Sequence, residues 1–103
     1  MNIIWSEQAI DAVASTNEYI FKTFGKTASD KFMNKIIKAS VWLESNPKIG
    51  KIEQDLDDLP STYRSFVVTK INKIIYRING NDVFVSVFWD CRRDPDYLRK
   101  IVN

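Results

Sequence analysis

The spacing of apolar residues changes once along this 103-residue chain, and that change limits the fold more than any other feature. Up to residue 45, apolar side chains recur every three or four positions, which is the period of an amphipathic helix. From residue 63 onward, β-branched and aromatic residues follow the two-residue period of strands. Helices and strands that are separated in sequence predict an α+β fold, with helices covering one face of a sheet. The length fits a single domain over residues 1–103.

A strand and a pair of helices are predicted in the first half. Residues 2–5 are short, apolar and β-prone, and Ser6 follows them as a good helix N-cap. The first helical stripe ends at Gly25, a residue type favoured just past a helix C-terminus, and the second ends at Asn46-Pro47. Two amphipathic helices with a short connection form an antiparallel hairpin. The stripes consist of Ile10, Val13, Asn17, Ile20 and Phe24, and of Ala28, Phe32, Ile36, Ala39 and Leu43.

Three strands are predicted in the second half, after a loop over residues 46–62. The strands cover residues 63–69, 71–78 and 83–89, and an Asn-Gly turn joins the last two. Residues 96–102 form a short helix or an ordered tail. The order β-α-α-β-β-β follows, with the first strand joining an antiparallel sheet made by the later three. The loop carries an acidic cluster without the ligand alternation of a calcium loop, so we expect it to be solvated; it consists of Glu53, Asp55, Asp57 and Asp58.

The middle strand predicts which face of the sheet is open. Its more apolar side should meet the helices, because burial of apolar surface drives that contact. The opposite side should then present cations as a concave site. The first set comprises Asn72, Ile74, Tyr76 and Ile78, and the second comprises Lys73, Ile75 and Arg77.

Composition excludes several classes of chemistry. One cysteine and no histidine exclude a disulfide framework, a Cys/His zinc site and histidine-dependent nucleophilic catalysis. Three scattered glycines exclude a glycine-rich phosphate loop. Catalysis would depend on carboxylates, Lys, Arg, Tyr, Ser or Thr, and we expect no metal and no cofactor. The first residues lack a basic and apolar leader, and no apolar run can span a bilayer, so we expect a cytoplasmic protein without membrane contact.

Basic residues are concentrated in the second half of the chain. Residues 60–103 carry 8 Lys/Arg against 4 Asp/Glu, whereas residues 1–59 carry 7 against 9. This asymmetry indicates a polyanionic partner. Two adjacent arginines at the end of the last strand point in different directions, so one can face a ligand while the other pairs with a carboxylate. The candidate cations for binding phosphate are Arg64, Lys73, Arg77, Arg92 and Arg93.

Tyr97 is a further candidate, since it can stack on a base or donate a proton to a reacting group. The candidate cations also have purely structural interpretations. Arg93 can instead pair with a neighbouring aspartate and fasten the C-terminal segment. Arg64 can cover apolar surface with its stem, and Lys73 and Arg77 can be solvated charges on the sheet. The residue types alone leave these alternatives open.

The order and spacing of short fragments along the chain add a family resemblance. These fragments are Ser6 and Ala9; Tyr19-Ile20, Phe24-Gly25, Ala28 and Phe32; Leu43, Asn46-Pro47 and Gly50; Tyr63-Arg64-Ser65; the run Lys73 to Ile78; and Arg92-Arg93-Asp94-Pro95. Together they resemble the RelE/ParE superfamily of toxins from type II toxin–antitoxin systems. The resemblance implies a helical hairpin packed on a twisted antiparallel sheet, with activity on the open face and near the C-terminus. It also implies a cognate antitoxin that wraps the toxin and masks that face.

Two activities occur in this superfamily. RelE-like members cut mRNA in the ribosomal A site without a metal, and the resemblance then makes Lys73, Arg92 and Tyr97 the catalytic residues, with Arg64, Arg77 and Arg93 binding nucleic acid or target. A strand arginine is usual where this chain has Lys73. ParE-like members poison DNA gyrase, and the hairpin together with the Arg-Arg-Asp ending favours them slightly, although many have a histidine just before the paired arginines. Here Asp90-Cys91 takes that place.

Two further classes remain open at the level of sequence. The chain can be a small nucleic-acid-binding module without toxicity, which uses the same cations. It can also be an inactive relative that acts as a scaffold or regulator. Growth arrest on expression, relieved by an antitoxin, distinguishes a toxin from both.

Overall fold

The computed structural model describes residues 1–102, which form one five-stranded sheet with helices on both faces. The predicted α+β architecture and element order are confirmed, and the C-terminal segment is helical. The elements are β1 (Asn2–Trp5), α1 (Glu7–Phe24), α2 (Lys26–Ser45), β2 (Lys51–Ile52), a 3₁₀ turn (Gln54–Leu56), β3 (Arg64–Val67), β4 (Asn72–Asn79), β5 (Asp82–Asp90) and α3 (Pro95–Ile101). The strands lie in the sheet in the order β1-β5-β4-β3-β2.

Two details of the sheet differ from the sequence prediction. β1 pairs with β5 in parallel, whereas the other neighbouring strands are antiparallel. A four-residue apolar strand carries no signal for its direction, and the intervening hairpin sets it. β2 and the 3₁₀ turn lie inside the predicted loop, since two or three residues are too few to show a period.

The helical hairpin packs on what we call the helix face of the sheet. The Ser6 hydroxyl caps α1 by accepting from the Ala9 amide at 3.1 Å, and it donates to the Ser86 carbonyl at 2.6 Å, so the start of the helix is fixed to β5. Gly25, at φ 91°, joins α1 to α2. The buried core on this face includes Phe32, Ile36, Leu43, Ile74 and Tyr76.

An extra residue in β5 changes which side chains face the helices. Ile75 pairs with Val87 and Tyr76 pairs with Val85, so Ser86 is unmatched and forms a β-bulge. As a result Val85 lies in the core of the helix face, whereas Val87 lies in the core of the opposite face. The strand thus supplies apolar residues to both faces.

α3 covers the opposite face, which we call the C-terminal face. Leu98 and Val102 are buried there against Trp89 and the other members of a second core; these are Leu56, Tyr63, Ile75 and Val87. Asp94 caps α3 by accepting from the Asp96 amide at 3.0 Å. The expectation of an open cationic face is therefore wrong along the first half of β4. The short terminal segment gave no sign in the sequence that its apolar residues would close this face.

An ion pair and a hydrogen bond attach α3 to the loop that precedes β3. Arg99 pairs with Asp58 and donates to the Asp55 carbonyl at 2.9 Å. The side-chain hydrogen bond from Arg99 is the main cause that lowers the pKa of Asp58. We expected the whole acidic cluster to be solvated, but Asp58 is held in an ion pair with α3. Within residues 1–102, no helix is long and apolar enough to cross a membrane.

Candidate functional site

The two adjacent arginines after β5 diverge, as predicted. One interpretation of the sequence paired Arg93 with a neighbouring aspartate, whereas in the structure Arg92 makes that pair. Arg92 folds back on Asp90, with Nη2 to Oδ2 at 2.7 Å and Nε to Oδ1 at 3.0 Å. This bidentate contact lowers the pKa of Asp90, mainly through the side-chain hydrogen bond, although burial opposes the shift. Within the described chain, Arg92 and not Arg93 has the aspartate partner.

Arg93 lies instead against two aromatic rings. Its guanidinium carbon is 4.4 Å from the centre of the Tyr97 ring and 5.5 Å from that of Trp89. The two rings are stacked, with centres 6.4 Å apart and planes inclined by 25°. Trp89 is buried, while Tyr97 is 42% exposed. We call Trp89, Arg93 and Tyr97 the C-terminal stack, which is a cation–π arrangement with one ring edge in solvent.

Lys73 lies on the same face as the C-terminal stack, because it is the cross-strand partner of Trp89. Its ammonium group is 2.6 Å from Oε2 of Glu53, a carboxylate with a side chain only 9% exposed. Glu53 was grouped with the acidic loop in the sequence analysis and was missed as a site residue. No local pattern distinguishes it from its acidic neighbours, since only the fold brings it to Lys73.

Arg64 and Arg77 lie apart from the other candidates. Arg64 donates to the carbonyl oxygens of Gly50, at 2.9 Å, and Lys48, at 3.4 Å. It thereby holds the turn after α2. Arg77 covers the Phe84 ring at 4.8 Å on the part of the sheet beyond α3. The structure thus brings together Lys73, Arg93 and Tyr97, while the remaining predicted cations lie elsewhere: Arg64, Arg77 and Arg92.

A groove of about 840 Å³ runs between the hairpin and the end of the sheet. Its aromatic wall includes Tyr19 and Phe24, which are 63% and 67% exposed although both belong to the amphipathic α1. Tyr19 therefore lies at the rim of the groove and outside the core. Cations surround the groove at Lys31, Lys35, Arg92 and Arg93. An apolar wall with basic edges suits an amphipathic acidic segment.

No metal site is evident in the part of the chain that the structure describes, since no group of three or more Cys, Asp and Glu residues is placed to hold an ion.

The fold recurs in known structures. A chromosomal ParDE toxin–antitoxin system from P. aeruginosa is similar in fold, with a TM-score of 0.70 and 13% identity over 87% of this chain and 95% of that chain. The YoeB/ParE toxin from Agrobacterium tumefaciens has a TM-score of 0.59 and 20% identity over 87% of this chain and 98% of that chain. The YoeB dimer from Staphylococcus aureus has a TM-score of 0.58 and 21% identity over 85% of this chain and 93% of that chain. At these identities the likeness establishes the fold and no more.

A family model establishes membership. The model described as "ParE toxin of type II toxin-antitoxin system, parDE" matches residues 3–95. The chain therefore belongs to the ParE toxin family, and the resemblance inferred from the sequence is confirmed. Comparison with curated proteins gives no significant match.

Proposed function

We propose that this ParE-family toxin arrests growth by poisoning DNA gyrase in the cytoplasm, and that a cognate antitoxin neutralises it. We favour gyrase over mRNA as the target because two of the predicted nuclease cations are paired with carboxylates. Metal-independent RNA cleavage needs cations that are free to meet the charge developing on a phosphorane. Here Lys73 is paired with Glu53 and Arg92 is paired with Asp90.

The separation of the candidate residues supports the same choice. Lys73 and Tyr97 lie on the C-terminal face beside Trp89. Arg92 and its partner Asp90 line the groove beside the hairpin. A nuclease centre built from Lys73, Arg92 and Tyr97 would require Arg92 to leave Asp90 and move towards the stack. A toxin that acts by binding its target requires no such convergence.

The groove is our proposed site for the antitoxin. Its exposed aromatic side chains and its basic rim fit an amphipathic segment with acidic residues on one side. Such a segment would fold on binding and would cover Arg92 and Arg93 together. Neutralisation then follows because the groove and the paired arginines become inaccessible to the target.

A gyrase assay with the purified protein tests the proposal. We expect gyrase, supercoiled plasmid, ATP and the toxin to yield linear DNA after detergent and protease treatment, since a poison traps the cleaved complex. In a parallel translation reaction, we expect the mRNA to remain uncut by primer extension. Intact plasmid together with mRNA cut inside translated codons would overturn the proposal in favour of the nuclease. Neither product, together with normal growth on expression, would indicate an inactive or merely binding relative.

A ribosome-dependent mRNA endonuclease is the second candidate, and the C-terminal stack favours it. The exposed edge of Tyr97 beside the Arg93 guanidinium offers both a ring for a base and a cation for a phosphate. The chemistry would be attack of a ribose 2′-hydroxyl on the adjacent phosphate, which breaks the bond from phosphorus to the 5′-oxygen of the next nucleotide and leaves a 2′,3′-cyclic phosphate. Tyr97 or Lys73 would take the proton from the 2′-hydroxyl or give one to the departing 5′-oxygen. Tyr97→Phe removes the hydroxyl and keeps the ring stack, so it separates the two functions. We expect toxicity to survive Tyr97→Phe if gyrase is the target, whereas a nuclease would lose RNA cleavage.

A further inference from the structure

The outer edge of β3 is only half covered. β2 consists of Lys51–Ile52, which pair with Ser65 and Arg64 respectively. β3 continues for two more residues, Phe66 and Val67, without a partner strand on that side. This edge of the sheet therefore ends in an unpaired stretch, which is the usual template for addition of another strand.

The backbone of Val67 points outward from that edge. Residues of a strand direct their backbone groups alternately to its two sides. The Tyr63 carbonyl accepts from the Glu53 amide on the outer side, and the Val68 amide donates to the Asn72 carbonyl on the inner side. The backbone N–H and C=O groups of Val67 therefore point to the outer side of β3, as those of Tyr63 do. No backbone hydrogen bond from the loop before β2 reaches Val67 within residues 1–102.

Apolar side chains surround this free edge. Val67 is 69% exposed and Trp42 is 52% exposed. Trp42 meets Phe66 edge-to-face, with ring centres 6.1 Å apart, so the end of α2 reaches the edge of the sheet. A strand that pairs with Val67 would bury part of this surface as well as satisfy two backbone groups.

The charges beside the edge select the occupant. Lys48 precedes β2, Lys51 is its first residue, and Lys70 follows β3. All three lysines are exposed, and none has an ion pair in the described chain. A second copy of this chain would bring the same cations together and would be repelled. An acidic strand would instead be attracted.

We propose that the Val67 edge of β3 receives an extended segment of a partner protein, in which apolar residues alternate with acidic ones. The segment lies against β3 in line with β2, past its Lys51 end, exchanges backbone hydrogen bonds with Val67, and places its acidic side chains near the three lysines. The edge adjoins the groove, because Thr69 and Ile71 in the following turn line it. Binding of such a segment at this edge does not require gyrase to be the target.

A synthetic peptide of alternating valine and glutamate tests the proposal with the full-length protein. We expect the peptide to slow hydrogen exchange at the Val67 amide and to shift the resonances of residues 65–67. Val67→Pro removes the outward amide at an edge position where proline is tolerated, and we expect it to weaken binding about tenfold. A peptide of alternating valine and lysine, the matched control, should not bind.

Charge reversal keeps the test valid if Val67→Pro does not fold. The triple variant Lys48→Glu, Lys51→Glu and Lys70→Glu should abolish binding of the acidic peptide and admit the basic one, whereas Lys100→Glu on α3 should change neither. Resonance shifts confined to the groove would overturn the proposal. So would equal binding of both peptides, absence of binding, or a dimer in sedimentation that disappears in Val67→Pro.

Discussion

The two faces of the sheet are covered by different means. The helix face is closed by two long helices, and its core consists almost entirely of apolar side chains. The C-terminal face is closed by the seven-residue α3, which charged contacts also attach. Those contacts are Arg99–Asp58 and the cation–π contact of Arg93 with Tyr97, and the Lys73–Glu53 pair adds a further ion pair on the same face. Apolar burial is insensitive to pH and weak in its response to salt, whereas exposed ion pairs respond to both. The C-terminal face is therefore the adjustable one.

Truncation of a buried leucine on each face should give the largest effect and the sharpest contrast. Leu43→Ala empties a fully buried position under the hairpin, and we expect it to lower the free energy of unfolding by about 3 kcal/mol. Leu98→Ala should instead release α3, because a short terminal helix can open while the rest stays folded. Urea unfolding gives the first value, and amide exchange by residue gives the second. Equal loss of protection throughout the chain in Leu98→Ala would show that the two faces unfold as one.

Removal of the lysine from the Lys73–Glu53 pair should have the next largest effect. Lys73→Met leaves the buried Glu53 carboxylate without its partner, and we expect a loss of about 2 kcal/mol, since an uncompensated buried charge is costly. The double variant Lys73→Met, Glu53→Gln should recover part of the loss, because it also removes the charge. Urea unfolding of the unchanged protein, the two single variants and the double variant gives the coupling energy between the two side chains. Additive losses would contradict coupling of the two side chains.

Tyr76→Phe tests the anchor between the helix face and the turn before β2. The hydroxyl donates to the Pro47 carbonyl at 2.7 Å and accepts from the Gly50 amide at 3.0 Å. Burial raises the pKa of this phenol, so it stays protonated as a donor at neutral pH. We expect a loss of about 1.5 kcal/mol on thermal or urea unfolding. Tyr19→Phe, at an exposed ring on α1, is the matched control and should have no measurable effect.

Acidification should give the smallest effect and should act on the C-terminal face first. The folded pKa of Asp58, the carboxylate that holds α3, is lowered mainly by the side-chain hydrogen bond from Arg99. A lowered folded pKa contributes stability that is complete above the unfolded value, about 3.9, and is lost as pH falls below it towards the folded value. We expect exchange at the α3 amides to rise in that range while the buried residues of α2 stay protected. Loss of amide protection in α2 and α3 at the same pH, or a loss of protection that begins near neutral pH, would contradict this prediction.

The sequence predicted the large elements but not the contacts between distant ones. The hairpin follows from its helical period, the Ser6 cap and Gly25, all of which are local signals. The position of Glu53 beside Lys73 is not local, because 20 residues separate them and the pairing depends on the path of the loop. The same holds for Tyr97, whose stack on Trp89 requires α3 to turn back under the sheet. The divergence of Arg92 and Arg93 was predictable from strand geometry, but the partner of each was not.

The bulge at Ser86 allows Val85 and Val87 to lie on opposite faces of the sheet although they are two positions apart. Loss of this single residue would make Val85 and Val87 neighbours, and ordinary alternation would then keep Phe88 on the side of the hairpin and Trp89 on the side of α3. The Ser86 hydroxyl itself has no hydrogen-bond partner in the described chain, and Ser6 binds only the backbone carbonyl. A relative of this protein can therefore replace the serine with another small residue, whereas a deletion would keep both cores and remove the backbone group that fixes the start of α1 to β5.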